Sequence, residues 1–170
     1  KDFLVNEREF SRTIWIPQWQ RLGFFSNNHP AIGREEVFSG DYKRQIKELN
    51  KSENQELLRE LAVKYVIVPY DSGGEIFLED RKYDEDQYRE TVTELRKVSW
   101  LRELPGFGKI AVFEVANTRD RFWSTSTTLR INYGSIKPTE YKVQVKNAKE
   151  GDLLIFSESF DKNWIAENTS

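Results

Sequence analysis

Three consecutive acids, Asp84-Glu85-Asp86, are the residues of this chain whose type and spacing come nearest to doing chemistry. A D-x-D triplet can hold a divalent cation for sugar transfer, which makes Asp84 and Asp86 the candidate metal ligands. The residues just after them argue for a plainer role. Tyr88, Val92 and Leu95 have helical spacing, so the acids fall in a first helical turn, where negative charge favours the positive end of the dipole and Asp84 with Gln87 can cap. The adopted reading is a cap, with no metal. The single histidine, His29, lies in Asn28-His29-Pro30, where the residue before proline is pushed out of the helical region. It reads as a turn residue rather than a base. One histidine and no cysteine argue against a zinc site, and no catalytic residue is assigned. Asp71-Ser72-Gly73-Gly74 sits past the end of a strand, where open α/β sheets place ligands. Neither a G-x-G-x-x-G pattern nor a P-loop accompanies it, so it reads as a surface turn and no cofactor is implied.

Aromatic side chains offer a second chemistry. Between Phe10 and Pro30 the chain reads as loop, and Trp15, Trp19, Phe24 and Phe25 alternate with Arg12, Gln18, Gln20 and Arg21. Rings interleaved with polar groups suit a sugar face or a protein groove. Trp15, Trp19, Trp123 and Trp164 are therefore the candidate carbohydrate-stacking residues. The competing reading, which carries more weight, makes these rings the lid of the core.

The elements that must position such residues are organised around Leu57 to Tyr70. Leu57, Leu58 and Leu61 share a helical face, and Val63 to Val68 is an almost unbroken β-branched and aromatic run. Both faces of that strand are apolar, which predicts a central strand covered on both sides. Upstream, residues 41–50 read as a short helix, and Ser52 with Gln55 reads as a capping box opening the next one. Downstream, a helix from Asp84 to Val98 is followed by Trp100, Leu101 and Leu104 packing behind it. Lys109 to Val115 is then a second apolar strand, expected beside Lys64 to Val68 and parallel to it through a crossover. From Asn117 the signals are strands alone: Leu129 to Tyr133, then Tyr141 to Lys146 in strict alternation, then Leu153 to Phe156 returning antiparallel as its hairpin partner.

The predicted class is α+β: an α/β lobe of helix-strand-helix-strand order over residues 1–116, then an antiparallel β-sandwich-like region over 117–170, forming one compact unit. The chain has 170 residues with 26 basic and 28 acidic side chains, a formal charge of −2. That balance supplies no global basic field, so nucleic acid is not expected as a partner. No apolar run approaches the roughly 20 residues of a spanning helix. The start at Lys1 and the absence of methionine read as an excised segment or a processed product.

Against this background, one run carries a family pattern: Pro138-Thr139-Glu140-Tyr141-Lys142-Val143-Gln144-Val145-Lys146, then Leu153-Leu154-Ile155-Phe156-Ser157-Glu158-Ser159-Phe160-Asp161 and Trp164. It resembles the extracytoplasmic β region of bacterial multi-spanning membrane proteins of the glycosyltransferase C type, the YfhO-like group included. There a P-T-x-Y-x-V strand precedes L-L-x-F-S-E-S-Y-x-P-G-W. Val63-Lys64-Tyr65-Val66-Ile67 and Ile110 to Val115 are similar to the strands upstream of it. Two departures stand out: Lys162-Asn163 replace Pro-Gly, and the family's sandwich continues past the tryptophan, so the β part reads as truncated. The resemblance implies a non-catalytic accessory domain on the extracytoplasmic face of the cell envelope, tethered by flanking transmembrane helices. Its partners would be the transmembrane portion of its own protein and a glycan, and an open edge strand would invite pairing between copies. The family's catalytic acids lie outside this sequence, so none is carried over. A carbohydrate-binding module of a secreted protein is the alternative.

Overall fold

The β-branched run Val63–Val68 (β3) is the middle strand of a five-stranded sheet of order β2-β1-β3-β5-β4. It pairs with β1 (Arg12–Trp15) and β5 (Ala111–Val115), and the edge strands are β2 (Ala31–Gly33) and β4 (Leu101–Leu104). The computed structural model describes residues 2–17, 26–70, 85–159 and 161–168. The chain divides into two compact units, residues 1–120 and 121–170, and this sheet belongs to the first.

Alternation along β3 sends Val66 and Val68 to one face and Tyr65 and Ile67 to the other, and both faces are covered. The Val66 side takes α3 (Tyr42–Leu49), α4 (Ser52–Glu60) and α5 (Glu85–Leu95), through Ile46, Leu49, Leu58, Val92 and Leu95. The Tyr65 side is covered more thinly, by Leu4 of α1 (Asp2–Asn6) and by Phe107. A short helix, α2 (Arg34–Val37), follows β2 directly, and the Glu36 carboxylate accepts from the Gly33 N–H at 2.8 Å. Among the described residues no helix is long and apolar enough to cross a membrane.

Several expectations are corrected. Arg12–Trp15 is a strand, not loop, and pairs parallel to β3 with Ile14 opposite Val66. Four residues led by Arg12 and Thr13 give too little periodicity to read; the strand is made by its neighbours. The Arg12 N–H donates to the Ala62 carbonyl at 2.7 Å, and its guanidinium to the Leu61 carbonyl at 2.8 Å. β5 does lie beside β3, but antiparallel, with Val66 opposite Phe113. The reason is β4, read from sequence as packing behind a helix. The crossover through α5 delivers β4 in the direction of β3, and a turn at 105–110 then folds β5 back between them. Ser52 is the first residue of α4 rather than its cap, a place taken by Lys51 without a side-chain bond. The cap that does form is Asp41, which accepts from the Arg44 N–H at 3.0 Å.

The regular elements of unit 2 among the described residues are all strands. β6 (Phe122–Trp123) pairs antiparallel with β9 (Ile155–Phe156), and β7 (Arg130–Lys137) with β8 (Glu140–Lys146). Tyr141–Lys146 and Leu153–Phe156 are thus not hairpin partners. The neighbour of β8 is the strand just before it, reached by the shortest connection. On one face of the β7–β8 hairpin lie Ile131, Tyr133, Tyr141, Val143 and Val145, and Phe122 packs against Tyr133 and Tyr141 there.

Candidate functional site

The chemistry-bearing side chains of unit 1 gather where α1 meets the start of β1 and β3. His29 is 2 % exposed, with Nδ1 3.0 Å from Ser11 Oγ and Nε2 3.0 Å from the Glu7 backbone carbonyl. A carbonyl only accepts, so Nε2 carries a hydrogen, and in the neutral ring Nδ1 then accepts from the Ser11 hydroxyl. This has the form of a nucleophile and base. Ser11, however, has no exposed surface, and a reacting atom needs to come within about 3.5 Å of a nucleophile. The pair is a fastener: it ties the residue 26–29 turn, closed by reciprocal backbone bonds of 3.1 Å between Ser26 and His29, to the end of α1.

Beside it, the Glu7 carboxylate accepts from Lys64 Nζ at 3.0 Å and from the Tyr65 hydroxyl at 2.9 Å. Burial pushes the Glu7 carboxyl up, but the bonds from Lys64 and Tyr65 and the lysine's charge outweigh it, and the carboxyl ends below its ordinary range. The Tyr65 phenol moves far the other way, first through burial and then through its bond to Glu7 and the negative charges of Glu7, Glu114 and Glu9. A phenol held neutral beside a carboxylate held charged is a stable donor–acceptor pair. Neither group is poised to exchange a proton near neutrality. Sequence reading missed this cluster because Glu7 stands 57 residues from Lys64, and no local spacing reports such a meeting.

Each candidate site residue has its own surroundings. Trp15 is buried in β1, its indole N–H donating to Thr13 Oγ1 at 3.1 Å. Trp123 is half-buried and donates to Ser157 Oγ at 3.0 Å. Trp164 is 39 % exposed and meets Phe156 edge-on, with ring centres 4.9 Å apart. Trp19 and Asp84 lie outside the described residues, as does the Gly73-Gly74 turn. Asp86 reaches into solvent from the first turn of α5, 3.9 Å from Arg89, which also bonds Glu85 at 2.8 Å. No group of three metal-ligating side chains occurs among the described residues. Trp100, read from sequence as packing behind the helix, is half-buried against the core, with an indole N–H that has no partner among the described residues.

Unit 2 has a different character. Phe122 and Phe156 stack with centres 4.5 Å apart and planes 7° from parallel, and the Tyr133 and Tyr141 rings lie at 5.0 and 5.5 Å from Phe122. The buried Arg121 donates to the Tyr141 hydroxyl and lies 3.7 Å from Glu158. Outside that small core, large apolar side chains stand in water: Ile136, Leu153, Leu154 and Ile165 are 58, 63, 44 and 78 % exposed. Trp164 adjoins the last of them. Scattered single hydrophobics are ordinary on a protein surface; unit 2 exposes these four together with Val145 and Trp164, and unit 1 exposes Phe3, Val5 and Ile110. Comparison with family models, curated proteins and solved structures gave no match.

Proposed function

We propose that this chain is a non-catalytic accessory domain on the extracytoplasmic face of a bacterial membrane protein of the glycosyltransferase C type, related to the YfhO-like group. Its work there is to brace the membrane portion of its own protein or position an acceptor glycan beside it. The observation that carries this reading is the exposure of Leu153, Leu154 and Ile165, in the stretch that bears the resemblance. Each such side chain gains about 1.5–3 kcal/mol when it is taken out of water, so the unit retains a drive to dock. The buried polar clusters of unit 1 are consumed in holding its elements together, which suits a brace better than a reaction site. The test is the full-length membrane protein carrying Leu153→Ser, Leu154→Ser and Ile165→Ser. Its detergent-solubilised melting temperature is expected to fall by several degrees while the isolated chain melts unchanged. An unchanged melting temperature in the full-length protein would overturn the bracing role.

A carbohydrate-binding module is the second reading, and the half-open ring of Trp164 is what favours it. Oligosaccharide binding that is abolished by Trp164→Ala, in a full-length protein whose melting ignores the three serines, would select it.

A further inference from the structure

The outward face of the β7–β8 hairpin has no role in the core or in the proposed brace. Residues opposite one another in an antiparallel pair share a face, so Arg130 with Lys146, Asn132 with Gln144 and Gly134 with Lys142 form one surface. All six are exposed. Arg130 and Lys146 stand directly opposite, an arrangement that is unfavourable by itself. Among the described residues no carboxylate pairs with Arg130, Lys142 or Lys146. The acid of the hairpin, Glu140, is taken by Lys137 at 2.9 Å. From residue 130 to 149 the sequence has five basic side chains and one acid, although the whole chain is at −2. With strand residues rising about 3.4 Å each, the three free cations lie within about 14 Å of one another.

We infer that this face rests on the phosphate groups of anionic lipids at a membrane surface. The choice of partner rests on what accompanies the charge. A specific protein interface is anchored by buried aromatic or aliphatic side chains, and the six residues of this face include none; the exposed Ile136 lies beyond them, where the register shifts. A single-stranded nucleic acid site needs rings on which bases stack, and those of the hairpin are turned inward onto Phe122. Headgroups diffuse laterally and match any spacing of cations, so they require charge and flatness alone. Such a surface attracts each basic side chain independently and is screened within a Debye length. The inference draws its setting from the membrane-tethered reading, but its test does not depend on that reading.

The experiment is co-sedimentation of the 170-residue chain with phosphatidylglycerol vesicles and with phosphatidylcholine vesicles. Binding to the anionic vesicles alone is expected, and it should vanish as salt is raised well above physiological strength. The variant Arg130→Gln, Lys142→Gln, Lys146→Gln should bind about a hundredfold more weakly. A matched variant in unit 1, Arg8→Gln, Lys43→Gln, Lys47→Gln, should bind as the parent does. Equal binding to both vesicle types, equal losses in the two variants, or full competition by soluble polyglutamate at matched charge would each overturn the inference. Those results leave the bracing role standing, since that role is read from the melting of the full-length protein.

Discussion

Replacing Phe113 with alanine is expected to lower the stability of unit 1 by about 3–5 kcal/mol, the ordinary cost of removing a buried phenylalanine. Phe113 is 1 % exposed in β5, opposite Val66 of the central strand, on the face closed by three helices. It shares a core cluster with Val66, Leu58 and Leu95, themselves fully buried on a strand and two helices, and a cavity in such a cluster collapses only by moving one of those elements. Because a domain has about 5–15 kcal/mol in total, the loss would be visible as a large leftward shift of a guanidinium unfolding curve with unchanged slope. A cost under about 1 kcal/mol, the range of a surface substitution, would mean that β5 does not lie between β3 and β4 in the stated register.

In unit 2 the corresponding change is Phe122→Ala, expected to unfold that unit outright. Phe122 is 8 % exposed and is the ring on which Phe156, Tyr133 and Tyr141 converge. Its removal costs about 3–5 kcal/mol by the same rule. Units of this size bury too little surface to tolerate that, and a two-stranded hairpin has little stability of its own. Amide exchange followed by mass spectrometry is the measurement. Protection of residues 130–146 should be lost while that of residues 63–68 is retained. Protection retained over 130–146 would show that the hairpin is held by something other than this ring cluster.

The legible parts of the fold are those made by local interactions. β3 and α5 could be read because their apolar periodicity runs for six and eleven residues, and β8 because Tyr141 and Val143 alternate cleanly with Lys142 and Gln144. β1 could not, since four residues beginning with Arg12 and Thr13 are made a strand by parallel pairing with β3, a contact about fifty residues distant in sequence. The antiparallel sense of β5 was hidden for a related reason. Leu101–Leu104 alternates only once, and without that strand the crossover rule gives the wrong direction. The site was less legible than the fold. His29 sits in the turn that its proline predicts, but its bonds to Ser11 and Glu7 come from three separate segments. The cations of the hairpin were visible as letters; that Arg130, Lys142 and Lys146 share one face emerged only with the β7–β8 register.

The proposed bracing role is tested most directly by contact. A photo-cross-linking residue placed at Leu154 in the full-length membrane protein should form an adduct with a membrane segment of the same polypeptide. The same probe at Asp86, whose side chain is 92 % exposed, should give little. An intramolecular adduct at Leu154 well above that at Asp86 is the result expected here; equal, near-background labelling at both positions would contradict the assignment of this surface to the membrane portion of the protein.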